Sequence, residues 1–218
     1  MDSTALGLLL RRDGEHLQPV YCCHRPNGGN VTRKELAAAA ELADWVWGTQ
    51  LLILYWPKKG APPQWLSEYG DVEEAKALPV ASADKDHRNR RMLRALDEHD
   101  LAGGTVGVGV FGTSDEPGRT AERKRDTDPA TLDAEVSGEV VTPTDLGLTS
   151  KADLLRAVGR RGAAPAQLAA TESCLMWFAK HCGNCWSCVD RAEAFVGAWG
   201  HDPTPYRRGT SAWKIARS

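Results

Sequence analysis

The stretch Cys174-Leu-Met-Trp-Phe-Ala-Lys-His-Cys182-Gly-Asn-Cys185-Trp-Ser-Cys188 places four thiols within fifteen residues. Two Cys-x-x-Cys steps share Cys185, and each step is short enough to turn consecutive thiolates toward one point. Gly183 permits a backbone conformation that a residue with a Cβ resists. Four thiolates suit tetrahedral zinc at Cys174, Cys182, Cys185 and Cys188. A closed four-sulfur shell leaves no open coordination position, so the expected role is structural rather than water activation. Disulfides, a redox pair and an iron–sulfur cluster are the competing readings. His181 adjoins the cluster but is left out of the shell, which four sulfurs already complete.

The rest of the composition sets the setting for this site. A chain of 218 residues is one α/β domain with an appended element by default. Its 27 Lys and Arg against 29 Asp and Glu leave a net charge of −2, so nothing global draws it to nucleic acid or to an anionic membrane. No apolar run approaches the roughly 20 residues that span a bilayer, and the start lacks a charged-then-apolar secretory pattern. A reducing cytoplasm is the expectation, and there thiols are free or ligate metal. Cys22 and Cys23 close an apolar run and read as buried residues. The eight tryptophans read as core or pocket walls.

Along the chain, Leu6, Leu9 and Leu10 make an apolar face at helical spacing after the helix-start residues Asp2 and Ser3, and Arg11 and Arg12 suit the helix's negative end. Residues 17–23 read as a strand that starts only after Pro19, and 24–30 as a loop. Thr32 with Glu35 forms a capping box for a helix ended by Gly48. The apolar run 50–56 suits a parallel strand covered on both faces, and strand, helix, strand implies a right-handed βαβ unit. Residues 57–70 carry three prolines and read as a surface loop, with Trp65 and Tyr69 covering core or lining a pocket. A helical pattern occupies 87–99. Residues 105–111 read as a central strand whose glycines admit a close neighbour. The charged stretch 112–139 exceeds a normal connection and is either a substrate loop or a disordered excursion. Ser150-Lys-Ala-Asp153 starts a helix to about Gly159, and Ala192, Phe195, Val196 and Trp199 mark a last helix ending at Gly200.

Cys-Gly-Asn-Cys-Trp-Ser-Cys-Val-Asp-Arg191-Ala-Glu-Ala-Phe195, followed by His201-Asp-Pro-Thr-Pro-Tyr206, resembles the C-terminus of the 7-cyano-7-deazaguanine synthase family. That family has a four-cysteine zinc site, then an Arg, an Ala-Phe-like pair and an Asp-Pro-Thr-x-Tyr ending. It belongs to the PP-loop ATP pyrophosphatases, whose fingerprint is Ser-Gly-Gly-x-Asp-Ser after the first strand. Met1-Asp2-Ser3-Thr4 looks like the tail of that fingerprint. The resemblance therefore implies a Rossmann-like, HUP-type parallel sheet with helices on both faces in residues 1–160 and a zinc-binding element in 161–218. The family's first strand and glycines would lie before Met1, either in a longer reading frame, which is the expectation, or lost. Arg88-Asn89 and Thr142-Pro143 with Ser150-Lys151 resemble further family segments. His87 in place of Gly, His24-Arg-Pro-Asn in place of an aromatic-Gly-Gln loop, and the charged 112–139 segment depart from the pattern.

The resemblance implies an ATP-dependent ligase that makes 7-cyano-7-deazaguanine from 7-carboxy-7-deazaguanine and ammonia through adenylated intermediates, with ATP, Mg²⁺ and a structural zinc ion. Asp2, Ser3 and Thr4 would handle phosphate and metal, Asn89 nucleotide or substrate, and Lys151 and Arg88 the developing charge. It leaves room for a homodimer, and neither a membrane nor a nucleic-acid partner is expected. Two alternatives remain. One is a PP-loop enzyme that adenylates another acceptor, a nucleobase in nucleic acid or a protein terminus. The other is a non-catalytic, zinc-stabilised binding module that has lost its nucleotide loop.

Overall fold

The computed structural model describes residues 2–11, 18–23, 38–43, 52–55, 64–65, 88–98, 104–109, 131–132, 134–174 and 181–218. The expectations for 24–30, for the capping box at Thr32 and for the charged stretch 112–130 lie outside these residues.

Helix α1 (Asp2–Leu10) opens the chain, as its leucine spacing predicts. Carbonyls at its end are met from across the fold. Arg161 donates from Nη1 to Leu9 O at 2.6 Å and to Arg11 O at 3.4 Å, while Arg11 itself is exposed. Strand β1 (Val20–Cys23) begins one residue after Pro19, where backbone donors become available. It runs parallel to β2 (Leu52–Tyr55) in the register Val20↔Leu52 to Cys23↔Tyr55. Residues 38–43 between them are helical, with Leu42 and Ala43 buried, which matches the strand–helix–strand reading.

Two expectations need correction here. The segment 57–70 is not loop throughout, since β3 (Gln64–Trp65) pairs antiparallel with β2 through Leu54↔Trp65 and Tyr55↔Gln64. The prolines limit that pairing without forbidding it. Proline donates no hydrogen bond, and β3 starts directly after Pro63. The strand expected at 105–111 forms as β4 (Thr105–Gly107), but among the described residues its partner is β5 (Glu139–Val141), parallel to it in a separate two-stranded sheet. Val106 and Val108 turn one face of it to a core formed with Leu93, Leu96 and Leu132. The described strands thus make one mixed and one parallel sheet rather than a single all-parallel one.

Gly107 explains why β4 carries glycine. A Cβ there would stand 2.8 Å from Leu10 Cδ1 of α1, so the close neighbour is this helix. Helix α2 (Arg88–Glu98) buries Leu93 and Leu96 against Val108, Leu132 and Val140. Glu135 ties its outer face to the next segment by accepting from Arg90 Nε at 2.7 Å and from Arg94.

Helix α3 (Lys151–Arg160) starts as predicted. Ser150 is extended at φ −145°, and its hydroxyl accepts the Asp153 N–H at 3.1 Å. A short α4 (Pro165–Ala169) follows, then α5 (Trp186–Trp199) and α6 (Ser211–Ile215). Gly200 ends α5 at φ 75°, its N–H returning to Val196 O at 2.8 Å. Ala5 of α1, Leu154, Leu155 and Val158 of α3, Leu168 of α4 and Ala194 and Phe195 of α5 form one core, so the chain on both sides of residue 160 packs together. Each Leu, Val or Phe side chain in it contributes about 1.5–3 kcal/mol by leaving water. The other face of α5 presents Cys188 and Ala192 to a separate cluster with Cys174, Cys182, Tyr206 and Ala212. Among the described residues no helix is long and apolar enough to cross a membrane.

Candidate metal centre

Cys185 is the N-cap of α5, so the helix start fixes Cys185 and, one turn on, Cys188. Cys182 is set by the preceding turn, in which Gly183 adopts φ 76°. Cys174 arrives from the segment after α4. The four Sγ atoms lie within 4.8 Å of one another, with Cys174, Cys182 and Cys188 buried and Cys185 half-buried. Cys182 and Cys188 are 3.9 Å apart, Sγ to Sγ. Sulfurs about 2.3 Å from one tetrahedral ion stand about 3.8 Å apart. The Cys182–Cys188 pair therefore already has the spacing of two ligands on one zinc ion, and all four cysteines are free thiols rather than disulfides.

Backbone amides prepare the sulfurs for negative charge. Cys182 N–H donates to Cys174 Sγ and Cys185 N–H to Cys182 Sγ, each at 3.3 Å. Burial pushes the Cys182 thiol up, but amide donors from Asn184 and Cys185 outweigh it and bring the group down to about 7. Cys188 goes the other way, because burial and the neighbouring thiols raise it. A cation would reverse that, since a bound divalent ion deprotonates its thiol ligands. His181 lies against the cluster, its Nδ1 3.8 Å from Cys188 Sγ and its Nε2 3.6 Å from Glu172 Oε1. Glu172, Cys174 and His181 also form a donor group whose atoms all lie within 4.8 Å of one another. Sequence reasoning left both Glu172 and His181 out of the ligand set, although Glu172 stands only two residues before Cys174.

Arg191 holds the surroundings together. It is 1% exposed, and its guanidinium donates to Thr204 Oγ1, Thr171 Oγ1 and Leu168 O, each at 2.9 Å. The same group stacks 5.0 Å over the Phe195 ring. Asp202 organises the closing segment by accepting the Thr204 N–H at 2.8 Å and the Tyr206 hydroxyl at 2.7 Å. Burial and then Asp202 push the Tyr206 hydroxyl up, so it stays a donor. Tyr206 bridges to His181, and Ala212 N–H donates to Gly183 O at 2.9 Å. Four consecutive pieces of chain thus converge around the sulfurs.

The other predicted site residues belong to α1, α2 and α3. Thr4 is buried in the first turn of α1, and the side chains of Asp2, Ser3, Arg88 and Asn89 lie outside the described ones. Lys151, at the start of α3, is engaged by Asp190 of α5 in a half-buried ion pair. A cation at a helix N-terminus opposes the helix dipole, and Asp190 offsets it.

Comparison with known proteins points the same way over part of the chain. It is 46% identical over 59 residues to the 7-cyano-7-deazaguanine synthase of Rhizobium rhizogenes, a match covering 27% of this chain and 24% of that protein. The similarity is partial. It is 49% identical over 57 residues to the 7-cyano-7-deazaguanine synthase of Rhizobium meliloti and 47% over 57 residues to 7-cyano-7-deazaguanine synthase 1 of Mesorhizobium japonicum. The match spans about a quarter of the length of each of these relatives. No family model matches, and no solved structure matches.

Proposed function

We propose that this chain is an ATP-dependent ligase of the 7-cyano-7-deazaguanine synthase type, built on a Rossmann-like PP-loop fold and stabilised by structural zinc. The observation that carries this reading is the four-thiolate cluster joined through Arg191 to the Asp202–Thr204–Tyr206 segment. The partial similarity to three synthases of that name supports it. When bound, zinc supplies charge and cross-linking only.

The chemistry has one central difficulty, since a carboxylate oxygen is a poor leaving group. Transfer of AMP from ATP to the carboxylate, with loss of pyrophosphate, turns that oxygen into part of a good one. Ammonia then adds to the carbonyl carbon and AMP departs, leaving the amide. A second AMP transfer to the amide oxygen, followed by loss of two protons and AMP, leaves the nitrile. In this scheme Asp2, Ser3 and Thr4 at the start of α1 hold phosphate and Mg²⁺, where the helix N-terminus favours negative charge. Arg88 and Lys151 stabilise charge on the departing pyrophosphate, and Asn89 orients the nucleotide or base. Lys151 exchanges Asp190 for phosphate in this role, at small cost because an exposed or half-exposed pair is worth about 0–1 kcal/mol.

The test is release of AMP and pyrophosphate with ATP, Mg²⁺, ammonia and 7-carboxy-7-deazaguanine, using this chain and the longest product of its reading frame. Lys151→Met is expected to lower the rate at least tenfold while leaving the melting temperature nearly unchanged. AMP formation independent of the deazaguanine carboxylate would replace this acceptor with another. No AMP from either protein would overturn the reading. It would favour a zinc-stabilised binding module instead, in which Lys151 keeps its pairing with Asp190.

A further inference from the structure

The surface beside the metal centre carries a charge that the whole chain does not. Residues 203–218 hold Arg207, Arg208, Lys214 and Arg217 and no Asp or Glu, in a chain of net charge −2. All four cations are exposed. Their segment is docked on the cysteine turn by the His181–Tyr206 bridge, by Ala212 N–H to Gly183 O at 2.9 Å and by Ser211 N–H to Asn184 Oδ1 at 3.2 Å. Two residues beyond Asn184 stands Trp186, 58% exposed at the first position of α5. An indole costs free energy when left in water, and a solvent-facing Trp on the turn to which this cationic segment is docked is a platform for a flat aromatic ligand. A second indole, Trp213, lies in the same segment with the Arg217 guanidinium 4.9 Å over its ring.

We propose that this face binds single-stranded nucleic acid, with the cations of 207–217 on the phosphates and a base stacked on Trp186. Cations alone would favour any polyanion. The exposed indole selects a strand whose bases are unstacked and free to lie on it, since a duplex keeps its bases inside. The assignment is independent of the ligase reading, because it uses no residue of the nucleotide site and predicts binding whether or not AMP is formed.

The experiment is fluorescence anisotropy of labelled oligo-U and oligo-dT of about 12 nucleotides with the zinc-loaded full chain, from about 50 to 200 mM salt. Both strands are expected to bind, weakening with salt by a log–log slope of about −0.7 per phosphate contacted. Either sugar supports the proposal, and the tighter one names the source, a preference for oligo-U implying contacts to the 2′-hydroxyl. Replacing Arg207, Arg208, Lys214 and Arg217 together by Gln should flatten the salt slope. Trp186→Ala should weaken binding about tenfold at unchanged slope, and Trp186→Phe should do so by less. Zinc content and melting temperature of each variant are measured alongside, so that loss of the fold is recognised. No binding at about 50 mM salt, binding insensitive to both sets of substitutions, or tighter binding of a duplex of equal length would each overturn the proposal.

Discussion

Gly183→Ala places a single methyl group where the metal turn and the chain's last helix meet. Two costs follow from the geometry. At φ 76° a side chain meets the strain of the left-handed region, about 1–2 kcal/mol. The new Cβ would also stand 2.0 Å from Thr210 Oγ1 and 2.7 Å from Thr210 Cβ, and a Cβ cannot rotate away from a Cβ. Segment 207–212 must move, which stretches the Ala212 N–H to Gly183 O bond at 2.9 Å. Overpacking of this kind costs about 1–3 kcal/mol. The sum is a loss of about 2–5 kcal/mol for the zinc-loaded protein, measured by urea unfolding and by competition with a chelator. Thr210→Gly in the same chain removes both clashing atoms and should restore the steric part while leaving the strain, giving a coupling of about 1–3 kcal/mol in a double-mutant cycle. A Gly183→Ala protein within about 0.5 kcal/mol of the parent, or a cycle without coupling, would refute the packing argument.

Arg191→Met leaves two threonine hydroxyls and a carbonyl without their buried cation, and should cost about 3 kcal/mol or more by denaturation. Arg191→Lys should recover little, because an ammonium lacks the guanidinium fork. Hydrogen bonding from Arg94, against burial and with help from Arg90, holds the Glu135 carboxyl below its ordinary range. Its contribution to stability is therefore complete above the ordinary value of about 4.3 and is lost as pH falls through the depressed folded value. Glu135→Gln should remove that acid-side slope from a plot of melting temperature against pH. In the folded site amide donors bring the Cys182 thiol down to about 7, so it is the ligand most readily deprotonated for metal near neutral pH. Protons should correspondingly compete with metal uptake as pH falls below about 7.

Much of the C-terminal part was legible because its signals are local. Ser150 caps α3, Gly200 ends α5, and the thiol spacing brings four sulfurs together, each through interactions a few residues long. What escaped depends on distant partners. β3 is two residues held by β2. β5 hid at the end of a charged stretch, signalled only by Val140-Val141. The carbonyls closing α1 are met by Arg161, about 150 residues away. Among the described residues β4 ends at Gly107, because a β-branched run states that a strand forms, not where its pairing stops. Arg191 could be quoted as part of a motif, but its role as the hub of Thr171, Leu168 and Thr204 exists only in the folded chain. Lys151 was expected to serve phosphate, and no local pattern announces its pairing with Asp190.

Zinc K-edge X-ray absorption on the purified protein tests the centre most directly. Four sulfur neighbours at about 2.3 Å with no nitrogen or oxygen in the shell are expected, together with one zinc ion per chain and loss of the C-terminal fold when it is chelated. A shell containing a light atom from His181 or Glu172, or a metal-free chain that keeps its full thermal stability, would contradict a closed structural site of Cys174, Cys182, Cys185 and Cys188.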